Sequence, residues 1–86
     1  LQNKIRESSA EIDSYETQKE VVTDLVANYK RMVEGEERKF SVGESSLFLV
    51  NSRETSYIQS QMKANEIENK LFSAQAKLFN ILALNF

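Results

Sequence analysis

Apolar residues return every seventh position through most of this chain, and the pattern breaks at only one place. In the first half the row runs Ile5, Ile12, Val26, Val33 and Phe40, with Lys19 as its one polar member. Three residues on, a second row holds Tyr15, Val22 and Tyr29, with Ser8 and Glu36 polar. This alternation of threes and fours marks the seam of a coiled coil and not the broad face of a globular helix. In the second half one row runs Val50, Tyr57, Ala64, Leu71 and Leu78, with a companion at Ile67, Ala74 and Ile81. A third row, Ile58, Phe72 and Phe79, sits one position further round. Two rows satisfy one partner helix; the third implies further contacts for the second helix.

The break falls at Gly43. The chain has no proline and only two glycines, Gly35 and Gly43. An all-β domain of 86 residues would need several turns, and turns draw on those two residue types. Gly43 can take a left-handed conformation without penalty, and Ser45 and Ser46 follow with hydroxyls able to cap a new helix. Gly35 lies among Val33, Glu34, Glu36 and Glu37 and reads as helix interior, at about 1 kcal/mol relative to alanine. The expected fold is all-α: a long antiparallel two-helix coiled-coil hairpin. Its helices are expected at 3–41 and 46–84, the turn at 42–45, and the whole of 1–86 forms one unit. Ile12, Val26 and Val33 should face Leu71, Ala64 and Tyr57. Helices of this length run ~60 Å and enclose no core, so their stability must come from the seam and from further packing.

Chemistry is scarce in this composition. There is no histidine and no cysteine, which removes the commonest metal ligand, the commonest general base, and any thiolate site or disulfide. Ser, Tyr, Lys and Glu side chains fall on solvated helical surfaces with no evident base or pocket, so no enzyme and no cofactor is expected. Glu34, Glu36 and Glu37 beside Arg38 and Lys39 read as a charged helix end, and Arg53 and Glu54 as lightly paired surface groups. The formal charge of −2, with both signs interspersed, favours neither nucleic acid nor an anionic membrane surface. No apolar run approaches the ~18 residues of a membrane-crossing helix. The chain opens inside a polar helical pattern, without methionine or an apolar leader, and is expected to be a piece of something longer.

The stretch Arg38-Lys39-Phe40-Ser41-Val42-Gly43-Glu44-Ser45-Ser46-Leu47-Phe48-Leu49-Val50 resembles the hairpin turn of the outer-membrane efflux protein (TolC) family. That family shows a basic residue, an aromatic, a Gly-Glu/Thr-x-Ser/Thr-Leu/Ile turn and an apolar helix start. Asn51-Ser52-Arg53-Glu54 through Lys77-Leu78 is similar to its polar, alanine-bearing return helix, and Phe79-Asn80-Ile81-Leu82-Ala83-Leu84 to its closing segment. The likeness covers nearly the whole chain and is most specific over 38–84.

The resemblance implies a trimeric outer-membrane channel of a Gram-negative bacterium, continued by an α-helical tunnel across the periplasm. This chain would be its second periplasmic hairpin. The tip Val42, Gly43, Glu44, Ser45, Ser46 and Leu47 would dock the hairpin of a periplasmic adaptor (membrane fusion) protein. Some members carry carboxylates just after the turn that narrow the tunnel mouth; Leu49 and Ser52 stand there instead. Any constriction would then be steric or apolar, from Phe40, Phe48 or Leu49. Self-association is expected too: a trimer in the parent, a dimer or higher oligomer for the fragment. Two other readings stay open, a coiled-coil interaction module of a scaffold protein and the hairpin of an adaptor itself.

Overall fold

The computed structural model describes residues 2–84; Leu1, Asn85 and Phe86 of the expected 1–86 unit lie outside the described residues. Two helices, α1 (Gln2–Ser41) and α2 (Leu47–Ala83), run antiparallel in a rod of 65 × 14 × 13 Å. No strand occurs among the described residues. None of the helices is long and apolar enough to cross a membrane.

The seam follows the heptad rows. On α1 the residues withdrawn from solvent include Ile5, Ser8, Ile12, Tyr15, Val22, Val26, Tyr29, Val33 and Glu36. On α2 they include Val50, Arg53, Tyr57, Ser60, Ala64, Ile67, Leu71, Ala74, Leu78 and Ile81. Lys19 and Phe40, at the same period, stay exposed. The polar members Ser8 and Glu36 are buried along with the apolar ones, because helical period, and not polarity, decides which residues face the partner helix. Ser60 is likewise buried, and its hydroxyl donates to the Tyr57 carbonyl at 2.6 Å, a local bond that satisfies it inside the seam.

The register is even from one end of the seam to the other. Glu11 Oε2 lies 3.9 Å from Lys77 Nζ, which sets Ile12 level with the turn of α2 between Ala74 and Leu78. The expected Ile12–Leu71 pairing is therefore incorrect. Glu36 against Arg53 keeps the same register at the closed end, which fits the expected pairing of Val33 with Tyr57 and Val26 with Ala64. From Val26 to Ile12 is two heptads, whereas from Ala64 to Leu71 is one; the Lys19 position was passed over, and an even register sets Ile12 near Leu78.

The two glycines behave in opposite ways. Gly43 has φ +80°, the left-handed region where a side chain is strained. Gly35 is inside α1, and a Cβ at either glycine would meet nothing within 4 Å. Gly35→Ala should therefore raise stability by roughly 0.5–1 kcal/mol, and Gly43→Ala should lower it by ~1 kcal/mol. Thermal melts followed by circular dichroism read both signs. Burial predicts a second contrast. Ile67 is 2% exposed and Phe72 72%, so Ile67→Ala should cost ~3 kcal/mol while Phe72→Ala leaves the helix signal of the single hairpin nearly unchanged.

Candidate docking tip and outer faces

The turn is built by local bonds on both sides of Gly43. At the end of α1 the Glu44 N–H donates to the Lys39 carbonyl at 2.7 Å and the Gly43 N–H to the Phe40 carbonyl at 3.1 Å. With Gly43 left-handed, these two bonds form a Schellman motif that satisfies carbonyls the helix end would otherwise leave open. Arg38 and Lys39 occupy the last turn of α1, where positive charge suits the helix dipole. Ser46 then caps α2: its backbone is extended (φ −126°, ψ 156°) and its hydroxyl accepts from the Leu49 N–H at 3.2 Å. Of the two candidate serines, Ser46 does the capping, so α2 begins at Leu47.

Ser45 has a different partner. Its hydroxyl donates to Glu36 Oε2 at 2.7 Å, and Arg53 Nε donates to Glu36 Oε1 at 3.3 Å. Glu36 is 8% exposed, while the Arg53 side chain keeps 40% of its surface in water. Glu36 is therefore not the solvated helix-end charge expected, while Arg53 is lightly paired as expected and Ser45 is half-buried and engaged. The seam period places 36 and 53 between the helices, and a carboxylate there must find donors. The signal was present in the second row, whose next member after Tyr29 is Glu36.

The hydrogen bond from Ser45 holds the Glu36 carboxyl below its ordinary value of 4.5, helped by the Arg53 bond and by the charges of Lys39 and Arg53, and opposed by burial. A carboxyl lowered on folding adds stability above its unfolded value and loses it as the pH falls through the folded value. The parent chain should therefore melt above Glu36→Gln at pH 7, and the gap should close as the pH drops below 4.5. A gap that persists unchanged at low pH would mean that the carboxylate's charge contributes nothing.

Ser45 turns into the seam, and the tip leaves several apolar side chains outside. Val42, Leu47 and Phe48 are well exposed, Phe48 at 78%, with Phe40 and Leu49 less so. Glu44 is exposed as well. Of the nine residues expected to act at the tip or mouth, six therefore offer their side chains to solvent there. Gly43, Ser45 and Ser46 shape the turn.

A second uncharged surface runs along α2. Ile58, Met62, Phe72 and Phe79 are exposed and succeed one another at coiled-coil spacing with Asn65, Asn69 and Ala76. The rows they share carry no charged residue from Phe48 to Ala83. The equivalent outer rows of α1 carry Arg6, Asp13, Glu20, Asp24, Arg31, Glu34 and Arg38. Glu66 lies on α2 beside this surface and is held on its own helix by Lys70 at 3.0 Å and Lys63 at 3.5 Å. The bond to Lys70, with the charges of Lys63 and Lys70, lowers the Glu66 carboxyl, and the same bond raises Lys70. These exposed pairs add little stability.

No family model, no curated protein and no solved structure matches this chain.

Proposed function

We propose that the hairpin is a wall segment of the periplasmic helical tunnel of a trimeric outer-membrane efflux channel, with residues 42–47 docking the hairpin of a periplasmic adaptor protein. One observation carries the reading: the tip engages its serine hydroxyls locally, Ser45 with Glu36 in the seam and Ser46 with the Leu49 N–H at the surface, and leaves Val42, Leu47 and Phe48 in solvent. A turn that only reverses a chain has no need of an apolar outer surface, whereas small, rigid apolar tips suit contact with a partner. The turn sequence Gly43-Glu44-Ser45-Ser46-Leu47 adds the family resemblance, and a 65 Å rod suits a segment that crosses a compartment. The mouth is narrowed by bulk, from Phe40, Phe48 and Leu49, in place of a carboxylate ring.

Lateral association belongs to the same proposal. The uncharged outer rows of α2 fit a neighbouring helix, and the charged outer rows of α1 fit water. The isolated chain should form a dimer or higher oligomer at micromolar concentration by sedimentation. Phe72→Glu should shift it toward monomer, with α-helix retained; a wild-type chain that sediments as a folded monomer removes the lateral contact.

The docking test needs a variant that spares the fold. Ser45→Arg does not, because it breaks the bond to Glu36. Phe48→Asp is better: an acid in the first turn of α2 suits the helix dipole, and the lost phenyl was 78% exposed. In the full-length parent, Phe48→Asp should assemble normally and yet export poorly. A scaffold module predicts no such defect, and export at the wild-type rate would remove the docking assignment from Phe48.

A further inference from the structure

We propose that Glu36 is a positioning residue, kept in the seam for the geometry its bonds give the tip and not for stability, which an apolar side chain at the same place would supply as well. Its position belongs to the row that holds Tyr15, Val22 and Tyr29, where an apolar side chain would pack. In its place stands a carboxylate that is 8% exposed, which depends on its bonded partners to offset the loss of water. What the carboxylate does is join three pieces of chain. Oε2 takes the Ser45 hydroxyl from the turn, and Oε1 takes Arg53 Nε from the second turn of α2. Glu36 itself lies one heptad before Gly43 on α1. The first turn of α2, with Leu47 and Phe48, is thereby tied on both sides, at Ser45 before it and Arg53 after it. Schellman bonds and the Ser46 cap order each helix end separately; the Glu36 bonds are the ones that run from one helix end to the other. Arg53 keeps its access to water, so removal of the carboxylate would not strand a buried cation.

Only the use of this arrangement rests on the docking proposal. The arrangement itself is tested on the chain alone, so failure of one leaves the other measurable. Amide exchange and thermal melts would be compared for the parent, Glu36→Leu and Glu36→Gln. Glu36→Leu should melt no lower than the parent, since leucine suits the seam. The Gly43, Glu44 and Leu49 amides should nevertheless exchange ~10-fold faster, as a local opening would allow, while the Val26 and Ile67 amides stay unchanged. Glu36→Gln keeps an acceptor for Ser45 and should restore part of the protection. Unchanged tip amides in Glu36→Leu would overturn the proposal. So would a lower melting temperature with faster exchange throughout, because Glu36 would then be an ordinary stabilising contact.

Discussion

A two-helix hairpin has no interior, so the contact between α1 and α2 has to do what a core does in a globular domain. Among the described residues six apolar ones, Val22, Val33, Val50, Ile67, Leu71 and Ala74, are buried in it, strung along a 65 Å rod. Isolated helices depend on such packing, and here each turn of seam depends on its neighbour. The reversal at Gly43 sets the register for the whole length: the Schellman bonds stop α1, Ser46 starts α2, and the rows meet because the turn places them there.

That dependence explains which parts of the molecule were legible in the sequence. The heptad rows gave the helices, and Gly43 with its two serines gave the turn, because each rests on a local rule of period or backbone geometry. Pairing at the open end was lost because Ile12 was set against Leu71 and the Lys19 position was passed over. Glu36 was read as a solvated charge because residue type was weighed above position; the period had already placed it in the seam. Ser45 was read as a capping or docking residue, and its bond to Glu36 could not be seen until Glu36 was placed. The outer stripe on α2 was seen only in part. Ile58, Phe72 and Phe79 stood out by their spacing, whereas Met62 and the uncharged Asn65 and Asn69 were recognisable only once the seam was fixed.

The functional reading grows from the contrast between the shaft and its end. Along the shaft the outer rows of α1 carry charge and the equivalent rows of α2 carry none, an asymmetry that suits a helix with one wet side and one neighbour. At the end, the Ser45 and Ser46 hydroxyls are bonded within the turn, while Val42, Leu47 and Phe48 stay in solvent beside Glu44. These features support a docking end on a packed wall, the role that the resemblance to outer-membrane efflux proteins implies.

The reversal of the chain at Gly43 is the premise of all of this, and a distance measurement tests it most directly. Spin labels at Glu7 and Asn80 sit on exposed positions near the open end. Pulsed electron resonance on doubly labelled chain, diluted in unlabelled chain to suppress contacts between molecules, reads the separation within one molecule. Neighbouring helix axes stand 8–10 Å apart, so the account predicts a narrow distribution at roughly 20 Å between labels. A helix running straight through Gly43 would set them roughly 110 Å apart, and the absence of a short distance would contradict the hairpin and everything built on its tip.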